Sequence, residues 1–250
     1  MSSKKRLDRL LQEQMPQLTR NQIASFIAQG EVTVNGQVVT KAGAQIREDA
    51  VIVCAHEQPR YVSRGGLKLE RALDHFTINV TGLVALDAGI STGGFTDCLL
   101  QHGAARVYGI DVGYGQVHEK VRRDPRVILR ERTNVRYLDS LPELVDIVTL
   151  DLAFISVLKV MPALVLLMKP HAQLVVLIKP QFEAERHEVG KGGIVRDEQV
   201  HEKVVRTLCA GITAYGFTCV GVIESPILGA SGNKEFLGYF VRNDQENPSR

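Results

Sequence analysis

From Leu83 onward the sequence alternates between short apolar runs and helical patterns, and this alternation constrains the fold more than any single motif does. Apolar runs lie at 83–87, 106–111, 126–129, 146–151, 173–179, 217–224 and 236–242. Helical periodicity falls between many of them, notably at 94–102, 156–168 and 197–215. Strands separated by helices pair in parallel and are covered on both faces, which predicts an α/β fold with a doubly wound sheet. The last two runs have no clear helix between them, so an antiparallel pair is expected at one edge.

The first 55 residues read as a separate α+β unit. Leu7, Leu10 and Leu11 form a helical stripe, with Lys4, Lys5, Arg6 and Arg9 on or near its other face. Pro16 interrupts the pattern, and Thr19 is placed to cap a second helix that Gly30 stops. Asn35-Gly36 between two alternating runs predicts a hairpin, and AVIVCA a further strand. Residues 56–64, HEQPRYVSR, lack periodicity and read as a linker; Gly65-Gly66 then opens a helix, LKLERALDHF. The expected organisation is therefore 1–55, a linker at 56–64, the sheet domain at 65–242 and a disordered tail at 243–250.

The stretch LVALDAGISTGGFTDCLLQHG joins a strand, an acid, a glycine-rich bend and a helix. In doubly wound sheets ligands sit beyond the carboxyl ends of the strands, where glycines let backbone approach them. Ser91 stands where a G-x-G-x-x-G loop has its second glycine, so a pyrophosphate cradle is missing. Asp111 ends the next strand, 24 residues after Asp87, where a carboxylate can accept hydrogen bonds from ribose hydroxyls. Acid, loop and second acid suit S-adenosylmethionine, a nucleoside with an amino-acid tail; the competing reading is a loop shaped by packing alone, with Asp111 capping a strand. Asp151 and Lys179 end later apolar strands at the same expected rim, Glu235 opens the last strand, and Lys68 lies on the helix before the first.

Composition narrows the class. Hydrophobic residues make up 44% and charged residues 23%, as in ordinary globular proteins. A net charge of +2 leaves any nucleic-acid surface to be local. Cys54, Cys98, Cys209 and Cys219 form no C-x-x-C pair or zinc-ligand spacing, so free thiols of a reducing compartment and no metal are expected. The most apolar tract, 157–178, is broken by Lys159, Pro162, Lys169, Pro170 and His171, and the N-terminus lacks signal-peptide form. A cytoplasmic protein without a membrane span, monomeric rather than oligomeric, is the expectation.

Lys68, Asp151, Lys179 and Glu235 occur in the order of the lysine–aspartate–lysine–glutamate tetrad of the FtsJ-like ribose 2'-O-methyltransferases. Within that group the chain resembles the TlyA family, also labelled haemolysin A. The resemblance rests on YVSRGGLKLERAL, DAGISTGGFTD, GIDVGYGQ, DPRV, LDLAFIS, IKPQFE, KGGIVRD and GNKEFL, from about residue 60 to the end of the sheet. Ala153 replaces an expected serine, and VHEKVRR departs from an aromatic-containing version; neither touches the tetrad. The resemblance implies a Rossmann-like methyltransferase sheet, S-adenosylmethionine as cofactor, and ribose methylation of ribosomal RNA, typically at cytidine. It implies that Lys179 contacts the ribose hydroxyl, either as general base or by positioning and polarising it. Asp151 would hold the lysines and face the sulfonium, and Glu235 would orient Lys68 or Lys179. Cofactor contacts would come from Asp87, Gly89, Ser91, Thr92, Gly93, Gly94, Phe95, Asp111, Thr133 and Asn134, with Phe154 and Phe182 flanking the pocket.

The N-terminal unit resembles the alpha-L RNA-binding fold, named after the fourth protein of the small ribosomal subunit. That likeness makes Arg6, Arg9, Arg20 and Lys41 an RNA-binding patch, where charge alone reads as a solvated face. Pseudouridine synthases can also carry this unit, but the only R-L-D, Arg6-Leu7-Asp8, lies in the first helix. Other readings are a ribosome-binding protein that keeps the fold as scaffold, a membrane-lytic protein, and a small-molecule O-methyltransferase; the last leaves the N-terminal unit without a role.

Overall fold

The computed structural model describes residues 4–16, 18–28, 30–54, 59–229 and 232–243. The chain divides into two compact units, Met1–Arg60 and Tyr61–Arg250.

The smaller unit runs β1 (Lys4–Arg6), α1 (Leu7–Gln14), α2 (Arg20–Ala28), β2 (Val32–Val34), β3 (Gln37–Val38), β4 (Gln45–Arg47) and β5 (Ile52–Cys54). Leu7, Leu11, Ile23, Ile27 and Val32 form its core. Thr19 and Gln22 cap α2 reciprocally: the Thr19 amide donates to Gln22 Oε1 at 2.8 Å, and the Gln22 amide to Thr19 Oγ1 at 3.3 Å. Such boxes contribute about 1 kcal/mol. Asn35 and Gly36 both take positive φ, 50° and 80°, as a tight β2–β3 hairpin requires. β5, expected as a further strand, pairs antiparallel with β2. The antiparallel pairing of β1 with β4 was not foreseen; both strands are three residues long and largely exposed, so they carry no apolar pattern.

The larger unit continues with α3 (Gly65–His75), β6 (Val84–Ala88), α4 (Gly94–Gln101), β7 (Arg106–Ile110), α5 (Glu119–Arg122), β8 (Val127–Arg130) and β9 (Val145–Leu150). It ends with α6 (Met161–Leu167), β10 (Met168–Ile178), α7 (Pro180–Glu183), α8 (Glu198–Thr213), β11 (Phe217–Glu224) and β12 (Phe236–Arg242). Among the described residues these strands form one seven-stranded sheet in the order β11-β12-β10-β9-β6-β7-β8. All neighbours are parallel except β12, which runs antiparallel to both β10 and β11. β11 and β12 thus form the expected antiparallel pair at one edge, with β12 on the inner side. One face of the sheet packs on α6 and α8 residues such as Met161, Leu164, Val204 and Leu208, and the other on Leu69, Leu73, Leu99 and their neighbours.

Two segments differ from the sequence reading. β10 begins at Met168, five residues before the expected start, and crosses Lys169-Pro170-His171 with a register shift and His171 at φ 59°. A bulge carries the strand through residues that look like a break. The expected linker also divides: Tyr61 is 2% exposed and packs with Leu69 and Phe95, while the Val62 amide donates to Asp97 Oδ2 at 2.9 Å. Residues 61–64 thus belong to the larger unit, whereas linker positions 56–58 and tail positions 244–250 lie outside the described residues.

Candidate active site

Strand ends and the loops after them build the site. β6 ends at Ala88, and the chain turns through Gly89 (φ 87°), Ser91 (φ 49°) and Gly93 (φ 96°) into α4. Gly89 is required there: a Cβ would lie 2.4 Å from the Asp151 carbonyl oxygen. Gly94 lets α3 and α4 start against each other, since its Cβ would meet Ser63 Oγ at 2.2 Å. The Asp111 carboxylate fixes the loop from the neighbouring strand, accepting from the Ser91 amide at 2.8 Å and the Gly113 amide at 2.7 Å.

Two cavities meet at this loop. One of about 660 Å³ is lined by Gly89, Ser91, Asp111, Thr133, Asn134, Asp151, Phe154 and Lys179 among others. The second, of about 240 Å³, takes in Ser63, Arg64, Lys68, Ser91, Thr92, Gly94, Phe95 and Asp151. Gly89, Ser91 and Asp151 line both. In the larger cavity Thr133 Oγ1 donates to the Glu131 carbonyl and Asn134 Oδ1 accepts from the Arg136 amide.

The four residues of the suspected tetrad form two ion pairs. Lys68, from α3, pairs with Glu235, 167 residues away, and the two side chains are 11% and 2% exposed. Lys179 Nζ lies 2.6 Å from Asp151 Oδ1, with the side chains 15% and 23% exposed. Because β12 is antiparallel, the start of that strand reaches the rim where the parallel strands end, and Ile178 stands opposite Phe236. Lys68 lines the smaller cavity, Lys179 the larger and Asp151 both; Glu235 lines neither and acts behind Lys68.

Asp87 and Gly93 are placed differently from the expectation of direct cofactor contact. Asp87 is fully buried beneath the loop and lines neither cavity. Its carboxylate accepts from Thr96 Oγ1 at 2.6 Å and Thr149 Oγ1 at 3.0 Å, and burial raises its carboxyl to about 7. It ties β6, α4 and β9 together. Gly93 is buried and packs against Val121.

Several site features escaped the sequence reading. Ser63, Arg64 and Ile227–Gly229 line the smaller cavity; the only hints were a polar SRGG before α3 and the glycine-rich LGASGNKE. Asp97, 2% exposed, accepts from the Val62 amide, Gln101 Nε2 and Lys120 Nζ, and so clasps the approach to α3. Phe154 and Phe182, which were expected to flank the pocket, have ring centroids 5.1 Å apart, with Phe154 90% exposed at φ 64°. The Arg132 and Arg136 guanidinium groups sit over the exposed rings of Tyr114 and Tyr137. In the smaller unit Arg6, Arg9, Arg20 and Lys41 are all exposed. Arg6 is held by Asp8 at 3.0 and 2.7 Å, and the Asp8 amide donates to Ala42, which brings the Lys41 turn against the start of α1. Among the described residues no His, Cys, Asp and Glu cluster is arranged to hold a metal, and no helix is long and apolar enough to cross a membrane.

Comparison with known proteins accords with this geometry. Residues 61–242 match the FtsJ-like methyltransferase family and residues 5–52 the S4 domain. The chain is 44% identical over 239 residues to "Putative rRNA methyltransferase YqxC" of Bacillus subtilis, covering 94% of this chain and 85% of the relative. It is 41% identical over 240 residues to the 16S/23S rRNA (cytidine-2'-O)-methyltransferase TlyA of Mycobacterium tuberculosis, covering 95% and 90%. A solved structure, "Putative hemolysin from Streptococcus thermophilus", superposes with a TM-score of 0.75 at 40% identity, covering 100% of this chain and 93% of that one. The chain belongs to the FtsJ-like methyltransferase family, in its TlyA branch, and carries an S4 domain ahead of the methyltransferase domain.

Proposed function

We propose that this protein methylates a ribose 2'-hydroxyl of ribosomal RNA, at cytidine, with S-adenosylmethionine as the methyl donor. The observation that carries the reading is the pair of lysine–carboxylate bridges at the junction of two cavities, with Asp151 in both. The named activity of the M. tuberculosis relative supplies the substrate class.

The residues fit such a cofactor. Asp111 stands in the larger cavity with its carboxylate oriented by two backbone amides, suited to accept from ribose hydroxyls. Thr133 and Asn134 line the same cavity and would hold the adenine, and Gly89 would permit close approach of the backbone. When bound, the cofactor supplies an electrophilic methyl group on a positively charged sulfur. Asp151 faces both cavities and offers that charge a carboxylate. Lys179, positioned by Asp151, contacts the hydroxyl in one of two ways: as the neutral amine it accepts the O–H proton, or as the ammonium it donates to the hydroxyl oxygen and polarises the O–H bond. Lys68, backed by Glu235, fixes the opposite wall. Orientation of this kind supplies up to about 7–11 kcal/mol, and base assistance about 10²–10⁴-fold. The exposed Phe154 ring offers a stacking face for a base of the RNA, and the S4 domain's Arg6, Arg9, Arg20 and Lys41 offer phosphate contacts.

The test is incubation with labelled S-adenosylmethionine and separated ribosomal subunits, followed by digestion to nucleosides and mass spectrometry. A 2'-O-methylated cytidine that is absent with Lys179→Ala is expected. Cofactor binding without label on either subunit would exclude ribosomal RNA as the substrate, and absence of cofactor binding would leave the fold as a scaffold.

A further inference from the structure

The mechanism above uses Asp151 and Lys179 but not the side chain that joins the turns carrying them. Those turns follow adjacent parallel strands, β9 and β10. Three contacts span the gap between them. Lys179 Nζ meets Asp151 Oδ1 at 2.6 Å; the Phe182 and Phe154 rings meet at 5.1 Å; and Glu183 Oε1 accepts from the Val157 amide at 2.8 Å. The Ser156 hydroxyl favours the charged form of the same carboxylate. Ser156 in turn caps the 3-10 turn Val157–Lys159 through the Leu158 amide.

We infer that Glu183 is a positioning residue for methyl transfer: it brackets the Asp151–Val157 turn to the Lys179–Glu183 turn and so sets the Lys179–Asp151 geometry. The inference rests on the proposed function for its activity readout. Three features support it. α7 is a single turn of four residues, with Lys179 immediately before it, so displacement of Glu183 is transmitted to Lys179 within one turn. The Asp151 turn holds Phe154 at positive φ, a conformation that surrounding contacts must maintain. Burial raises the Glu183 carboxyl above its ordinary value, against the Ser156 hydroxyl, the Val157 amide and Lys159, which lower it. The acceptor role toward the Val157 amide does not require a charge.

That last point gives the test. Glu183→Gln keeps an acceptor for the Val157 amide, whereas Glu183→Ala removes it. The full-length protein would be compared as wild type, Glu183→Gln, Glu183→Ala and Ser156→Ala. Readouts are kcat and KM for methyl transfer, S-adenosylmethionine affinity by calorimetry, thermal unfolding, and acylation of Lys179 by a small amine-reactive ester, measured by mass spectrometry. Glu183→Ala is expected to lower kcat about 10–100-fold, the scale of a misplaced reacting group, and to raise Lys179 acylation, with cofactor affinity within about threefold of wild type. Glu183→Gln should restore most of both signals, and Ser156→Ala should fall between. If Glu183→Ala does not fold, retained activity in Glu183→Gln and a partial loss in Ser156→Ala still support the bracket. Glu183→Gln as defective as Glu183→Ala would overturn it, as would unchanged kcat and acylation in a folded Glu183→Ala. Acylation is independent of the RNA reaction. A wild type that transfers no methyl group but shows the acylation differences would sink the functional reading and leave the bracket standing.

Discussion

The two lysine–carboxylate pairs of the site are chemically alike and differ in their surroundings. Glu235 is sealed behind Lys68, which lines the smaller cavity, whereas Lys179 and Asp151 both open onto the cavities. A sealed charge that loses its partner has no water to replace it, whereas a partly exposed one rehydrates. The first pair therefore bears mainly on stability and on the shape of the smaller cavity. The second is free to exchange its internal contact for one with a substrate hydroxyl.

Removing the open lysine should give the largest effect on chemistry and a small one on folding. Lys179→Ala is expected to slow single-turnover methyl transfer by about 10²–10⁴-fold while the unfolding midpoint in urea stays close to wild type. A folding defect as large as that of a Glu235 variant would erase the distinction between the pairs. Glu235→Gln should do the reverse first, costing about 3–5 kcal/mol of stability because it strands the Lys68 ammonium. The double variant Lys68→Met/Glu235→Leu should recover much of that loss in the same urea titration, and failure to recover would mean that Glu235 acts through contacts other than Lys68.

Asp87 sharpens the comparison, being a sealed carboxylate held by two hydroxyls rather than by a lysine. Its folded value of about 7 lies above the unfolded value of about 3.9. Between those pH values the folded chain holds more protons than the unfolded one, so this group's contribution to stability is present below about pH 4 and is lost as pH rises to 7. Asp87→Asn should flatten that slope, matching wild type near pH 4 and exceeding it by up to about 4 kcal/mol at pH 8. Parallel pH–stability curves for the two proteins would refute the assignment. Phe154→Ala should have the smallest effect on folding, within about 0.5 kcal/mol for so exposed a side chain. A base stacked on the ring would be worth about 1–3 kcal/mol, so KM for RNA should rise roughly tenfold; an unchanged KM would remove Phe154 from the RNA surface.

The sheet was legible because its strands are short apolar runs bounded by turns, and the Asn35-Gly36 hairpin because few residues tolerate two positive φ angles. The start of β10 was not legible. Lys169-Pro170-His171 reads as a break between helix and strand, and nothing in the sequence marks the bulge that carries β10 back to Met168. Strand-end logic placed Asp151 and Lys179 at one rim, but no spacing rule pairs Lys68 with a carboxylate 167 residues later. Only the antiparallel direction of β12 brings them together. Asp87 entered the cofactor contacts through the family resemblance; it is fully buried beneath the loop, which no sequence pattern marks. Glu183 lies within a quoted motif, yet its partner is a backbone amide, which leaves no mark in the sequence.

The late position of β12 also bears on the order in which the protein is made. The glycine loop, Asp151 and Lys179 leave the ribosome before Glu235 is synthesised. Until β12 pairs with β10, Lys68 lacks its counter-charge and the sheet has an open edge there. A nascent chain is thus an unfinished catalyst on the surface of the same kind of RNA that it is proposed to modify. The Lys68–Glu235 pair is complete only once β12, the last strand, is in place.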